Sequence, residues 1–471
     1  MQELDDGALT DPPSFFPITI MLRMFLAALL LGCAATTSAA TLRIGLSSDI
    51  TSLDPQFLAT QPNLTAARHM FESLVDVDER THLIPGLATS WRALDPLTWE
   101  FRLRQGVKFH DGSALTVGDV IFSLQRPLSI QGSPGGFAAY VRSIASLQAV
   151  DDYTLRVVTR TPYGALPEDI NSILIISKRA AEHATPADFD AGRALVGTGP
   201  YRFARYARGD RLELVRHDEY WGKRPLWERV ELRTMTTDPI RTAALLSGEV
   251  DVIEHVPSAD YARLAARPEL HLEQTVSWRT IFLTLDQYRD RPPGIAGKSG
   301  QTARANPFRD RRVRLALSKA IDRDALARIV LEGLAMPAAN IVSPGVFGHD
   351  PALRPEPVDR DAARHLLAEA GYPNGFELTL SGPNNRYIND EQVLQAVAQM
   401  LAHVGIRAYV EAAPLNVFLT RVRREQTSFA LLGWGSFAAD LAMRSLIAAP
   451  DRERGYGAWN WGRYSSPALN R

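Results

Sequence analysis

Apolar and polar positions divide the chain into a first part of short, mixed elements and a last third with a clear strand–helix rhythm. Thr41–Leu46 alternates Leu42, Ile44 and Leu46 with Arg43, which predicts a strand facing a core on one side. The turn-forming run through Leu53, Asp54 and Pro55 ends it. Residues 63–74 then place Leu64, Ala67, Met70, Phe71 and Leu74 on one helical face. From Asp76 to His183 the periods are shorter. Residues 99–104 and 153–158 alternate like hairpin strands, and between them Thr116-x-x-Asp119 opens a helix with a capping box, its apolar face supplied by residues 120–124. Strands follow at 197–203 and 211–215, a helix at 241–246 closed by Gly248, and a strand at 250–253.

In the last third, residues 376–380 read as a strand and 381–389 as a polar loop. Asn389-x-x-Gln392 caps a helix whose apolar face is Val393, Val397, Met400, Leu401 and Val404, ended by Gly405. A strand at 406–410, a short helix at 416–422 and a strand at 429–432 complete the pattern. Strand–helix–strand–helix–strand implies a parallel sheet with helices packed on it, hence an α/β fold. Ligands in such sheets sit at the carboxyl ends of the strands. That rule selects two loops: 381–389, carrying Arg386, and 433–440, carrying Trp434 and Phe437. Residues 289–307, rich in Pro, Gly and Arg, read as a surface loop.

Composition and the start of the chain narrow the function. Arg23, an apolar run at 24–31 and small residues leading to Ser38-x-Ala40 have the layout of a secretory signal, with an apolar core too short to span a bilayer as a mature helix. The mature protein is expected outside the cytoplasm, away from ATP and nicotinamide cofactors. Residues before Met21 read as an upstream extension of the reading frame. Ordinary cleavage after Ala40 is the reading, supported by the strand that opens at Leu42; Leu30-Leu-Gly-Cys33, which also fits a lipoprotein box, is the alternative. Cys33 is the sole cysteine, so the folded part has no disulfide and no thiolate chemistry. The balance of 52 basic against 53 acidic residues, with no long run of either sign, argues against nucleic acid and against a peripheral membrane binder.

No catalytic pattern survives. Gly294-Ile-Ala-Gly-Lys-Ser299 is two residues short of a phosphate loop and does not follow a strand. His110 stands in a turn with no second ligand at metal spacing. Asp151 and Asp152 mark a strand entry. The reading is therefore of no enzyme, no metal and no cofactor. Arg386 could grip a carboxylate through two parallel hydrogen bonds, or could be a surface arginine in a loop. Trp434 could wall a pocket or cap the core.

Several longer motifs carry a resemblance: Leu83-Ile-Pro-Gly-Leu-Ala-Thr-Ser-Trp91, residues 99–112 ending Phe-His-Asp-Gly112, residues 115–123, Gly197-Thr-Gly-Pro-Tyr201, Tyr220-Trp-Gly222, residues 313–322 and residues 366–373. In this order they resemble the extracytoplasmic solute-binding proteins of peptide/nickel-type ABC importers, across residues 41–471. The resemblance implies a type II periplasmic-binding-protein fold of two hinged α/β lobes with a smaller inserted domain. The expected division is a leader at 1–40, the first lobe at 41–76 and 185–276, the inserted domain at 77–184, and the second lobe at 277–471, the family's C-terminal return segment being missing from this sequence. It further implies a monomer in the periplasm that catalyses nothing. Such a protein encloses a peptide or other small solute and delivers it to an inner-membrane permease and ATPase; an exported module feeding a chemoreceptor is the alternative on the same scaffold.

Residue by residue, Arg386, beside Tyr387, matches the family arginine that holds a peptide carboxylate. The aspartate that holds the peptide's amino group, three residues after the tryptophan matching Trp434, is Phe437 here. The Asp-Pro pair further on survives as Asp440-Leu441. Trp278 and Arg279 lie where the chain crosses between lobes. An ammonium buried without its carboxylate costs on the order of several kcal/mol, so the expected ligand is a small carboxylate-bearing solute, or a peptide-like compound in a shifted register.

Overall fold

The computed structural model describes residues 40–469, apart from Arg80, residues 134–135 and 302–304, Phe437, Arg452 and the side chain of Ser299. The leader, its cleavage site and Cys33 lie outside the described residues, as does Phe437.

Two five-stranded sheets form the two lobes. The first has the order Val252–Ile253, Thr41–Leu46, Arg229–Thr234, Arg211–Arg216, Tyr201–Ala207. Its first three strands run parallel and its last two are added antiparallel. Leu46, Met70, Phe71, Leu212, Leu214, Val230 and Leu232 bury its core. In the second sheet, Glu377–Pro383 pairs in parallel with Arg407–Ala413 and Phe429–Gly435. Arg279–Leu285 is added antiparallel beyond Phe429–Gly435. Phe308, Leu378, Leu380, Leu394 and Leu431 fill the core below. A four-stranded antiparallel sheet, Ala88–Ala93, Thr98–Leu103, Thr154–Thr159 and Ile144–Asp151, carries a third core around Phe101, Phe109, Leu155 and Val157. The capping box forms as read: the Asp119 carboxylate accepts from the Thr116 N–H at 3.0 Å and hydroxyl at 2.8 Å, starting the helix Val117–Gln125.

Four expectations are corrected. The first helix is Gln61–Met70 and stops before Phe71. Its final carbonyl, on Met70, accepts from Gly199 N–H at 2.9 Å, and a Cβ on Gly197 would come within 2.1 Å of that oxygen. The chain beyond Met70 is thus held against a neighbouring segment instead of winding another turn. The strand expected at 376–380 runs on to Pro383, because Ser381, Gly382 and Pro383 continue the parallel register against Glu411, Ala412 and Ala413. Within the segment expected as a surface loop, Ile295–Ala296 is tied into the sheet, pairing antiparallel with Leu378 and Glu377. Finally, Asn389 precedes the helix Asp390–Ala402 in the left-handed conformation, φ 50°, and its side chain does not cap it. Asn389 Nδ2 donates instead to Ser258 Oγ and to the Val330 carbonyl, both at 2.8 Å.

Candidate functional site

In both lobes the carboxyl ends of parallel strands open on one cleft. Ser47 follows Thr41–Leu46, residues 236–239 follow Arg229–Thr234, and residues 255–257 follow Val252–Ile253; opposite them stands the loop after Glu377–Pro383. Together residues 47, 236–239, 241, 255–257 and 384–392 line a cavity of about 360 Å³. Ser48 Oγ donates across it to the Asn385 carbonyl at 3.0 Å.

The first lobe's wall is set by an arginine that sequence reading placed only as the first residue of a helix. Arg241, 1% exposed, donates to the Met235 carbonyl at 2.9 Å, to Asp238 Oδ1 at 2.6 Å and to the His255 carbonyl at 2.8 Å. It thereby fixes both loops of that wall, including His255 at φ 53°. Glu254 is fastened nearby: its Oε1 accepts from Ser47 N–H at 2.9 Å and Ser47 Oγ at 3.0 Å. Burial lowers the pKa of His255; Glu254 opposes this, while Arg386, Arg279 and Arg241 add to it. The imidazole is therefore neutral at pH 7 among positive charges.

The second lobe's wall is built around Arg386. Asp390 Oδ2 accepts from the backbone N–H of Arg386 at 2.9 Å and of Tyr387 at 3.0 Å, and its Oδ1 accepts from Glu391 N–H at 3.0 Å. One carboxylate at the helix start thus ties down the loop. Arg386 is only 9% exposed, yet its guanidinium has no hydrogen-bond acceptor and no carboxylate partner among the described residues. Tyr387 lies beneath it, ring centroid 5.7 Å from the guanidinium carbon, and its hydroxyl accepts from Gly433 N–H at 2.7 Å. Arg279 reaches the same ring from the start of its strand, at 5.9 Å. Desolvation and the neighbouring Arg386 bring the Arg279 guanidinium down to about 10.

The strand Phe429–Gly435 sorts the remaining aromatic residues by its two-residue alternation. Gly433 and Gly435 face the cleft side: a Cβ on Gly433 would sit 2.7 Å from Tyr387 Cε1, and one on Gly435 2.7 Å from Trp278 Cδ1. Trp434 faces the other way, into a core with Val342, Val346, Leu432 and Leu446, its ring 5.1 Å from that of Trp459. Of the two readings left open for Trp434, the core is the one observed. Asp440 also lies apart from the Arg386 cavity. It accepts from Arg444 Nε at 2.7 Å and from the Tyr163 hydroxyl at 3.2 Å. The fold thus brings Arg386, Tyr387, Arg279 and Trp278 together, and directs Trp434 and Asp440 elsewhere. Asp390, Arg241, Glu254 and Ser47 were missed; the four-residue spacing from Arg386 to Asp390 was the available signal for the first.

Residues 82–445 match the family model described as bacterial extracellular solute-binding proteins, family 5, middle region. The chain belongs to this family. The glutathione-binding protein GsiB of Pectobacterium atrosepticum is 30% identical over 438 residues, covering 91% of this chain and 80% of the relative. GsiB of Escherichia coli O1:K1 is 29% identical over 392 residues, covering 82% and 71%. Among solved structures, the E. coli murein tripeptide binding protein MppA superposes with a TM-score of 0.78 at 22% identity, covering 92% of this chain and 86% of that one. Helicobacter pylori DppA, solved with the peptide STSA, gives 0.77 at 24%, covering 91% and 85%. These confirm the family 5 fold: two hinged α/β lobes and an inserted smaller domain. The family consists of solute-binding proteins, not enzymes.

Proposed function

We propose that this chain is the substrate-binding component of an ABC importer. Exported to the periplasm by its N-terminal signal and acting as a monomer, it closes its lobes on a small peptide-like solute and delivers it unaltered to the membrane permease and its ATPase. The observation that carries this reading is the buried, unpartnered guanidinium of Arg386 in a cleft lined by both lobes. Leaving a guanidinium so placed without an anion costs on the order of several kcal/mol, and a carboxylate held by two parallel hydrogen bonds removes that penalty. Asp390 fixes the loop so that the arginine is in place before the ligand arrives, which limits the entropy lost on binding.

The amino end of a peptide finds no carboxylate side chain at position 437, where phenylalanine stands. This argues against a standard dipeptide and favours a peptide-like acid held in another register. Glutathione, the ligand in the names of the relatives, is the first compound to test. Calorimetric titration of the protein with glutathione and with short peptides, each compared with its carboxamide-terminated form, tests the reading. Binding of the acids and not of the amides supports it; equal binding of both, or a ligand recovered chemically changed, overturns it.

A further inference from the structure

We propose that Arg279 forms a second anion subsite beside Arg386, so that the cleft selects solutes carrying two carboxylates over those carrying one. The inference rests on the Arg386 reading above and deepens it. Three observations carry it.

Arg279 is the first residue of the strand Arg279–Leu285, placed by pairing with Gly435. Its backbone position is therefore fixed by the sheet and not by a mobile loop. Its guanidinium carbon lies 5.9 Å from the centroid of the Tyr387 ring, and that of Arg386 lies 5.7 Å from the same ring. Two like charges are thus held against one aromatic ring. Neither guanidinium meets a carboxylate or any other acceptor among the described residues. The nearby carboxylate of Glu254 is turned to Ser47, whose N–H and hydroxyl it accepts.

Three other buried or half-buried arginines each meet a carboxylate: Arg126 with Asp54 at 2.6 Å, Arg241 with Asp238 at 2.6 Å, Arg444 with Asp169 at 3.0 Å. The pair at Tyr387 departs from that pattern in the one place where a solute is expected. Two guanidiniums repel each other unless anionic charge comes between or beside them. One carboxylate gripped by one guanidinium would leave the other without a hydrogen-bonded anion; a ligand with two carboxylates satisfies each.

The test uses matched probes differing in one carboxylate: glutathione against its glycine monoethyl ester, and Glu-Gly-Gly against Gly-Gly-Gly. Affinities are measured by calorimetry on the natural protein and on Arg279→Gln and Arg279→Lys. The expected result is at least a tenfold preference for the dicarboxylate of a pair, abolished in Arg279→Gln and partly retained in Arg279→Lys. The ligand-free Arg279→Gln protein should melt at the same temperature or higher, because a repulsion is relieved; a merely structural arginine would lower it. Binding of the probes without preference, or a preference that survives Arg279→Gln, overturns this inference and leaves the importer reading intact. Failure of every probe to bind overturns both.

Discussion

Two arginine clusters stand in this molecule, and their difference separates structure from readiness. At the first, Arg444 on the helix Ala439–Leu446 reaches the inserted domain, where it meets Asp169 at 3.0 Å, and it binds Asp440 at 2.7 Å. The Tyr163 hydroxyl donates to Asp169 at 2.8 Å, closing a network in which each charge has an opposite partner. At the second, Arg386 and Arg279 share a tyrosine ring, and neither guanidinium is hydrogen-bonded or ion-paired to a carboxylate among the described residues. Both clusters draw on the same residue type and similar burial. The compensated one is a clasp complete in itself; the uncompensated one, on the function proposed above, is completed by what it binds. Burial alone therefore does not mark a site; the absence of a counter-charge is what distinguishes Arg386 from Arg444.

The largest effect expected is on Arg386. Arg386→Gln should weaken carboxylate binding about a thousandfold, roughly 4 kcal/mol, within the range for truncating one side of a buried charged contact. Its ligand-free stability should not fall, as comparative melting will check. Arg444→Gln should give the opposite pattern. It strands Asp169, 1% exposed at its side chain, and should cost about 3 kcal/mol of stability in urea unfolding, with a smaller effect on affinity. If both variants lose stability equally, the contrast between the clusters fails.

Asp390→Ala comes next. It frees the N–H groups of Arg386, Tyr387 and Glu391, and should lower affinity about tenfold with little change in fold, near 1–2 kcal/mol. Gly433→Ala should cost about 1 kcal/mol by pressing a Cβ on the Tyr387 ring; a shift in ligand affinity larger than the shift in stability would place that effect at the site.

The smallest effect is in pH. Burial, outweighing Arg444 and the Tyr163 hydroxyl, raises Asp169 from 3.8 to about 7. The folded protein thus holds this proton more tightly than the unfolded chain between those values. By linkage the contribution to stability grows as pH falls from 8 toward 5 and is lost as pH rises through 7. Thermal melts across that range should show the trend. The stability deficit of Arg444→Gln should shrink in the same direction, since protonation neutralises the stranded carboxyl.

How much of this was legible beforehand differs between the clusters for a physical reason. The Arg386 loop follows from local periodicity: a strand, a polar gap and an amphipathic helix in succession place it at a sheet edge. Asp390 escaped because Asn389 beside it is an equally good helix cap, and only the left-handed backbone at 389 hands the loop-fixing role to its neighbour. Trp278 and Arg279 came into view through the family resemblance and not through pattern. The Arg444 clasp was illegible, since Asp169 stands 275 residues away and no local rule joins them. Asp440, read as a ligand residue by position, serves that clasp. Trp434 could not be assigned a face until the register of its strand was known.

The alternation along Phe429–Gly435 has a consequence for how this strand tolerates a change of length. With Gly433 and Gly435 on one side and Trp434 on the other, inserting or deleting a single residue upstream in that strand would invert the parity of all three. An indole would then stand against Tyr387 and fill the space meant for the solute, while two glycines would hollow the core behind it. One residue gained or lost there would both cork the chamber and weaken its wall.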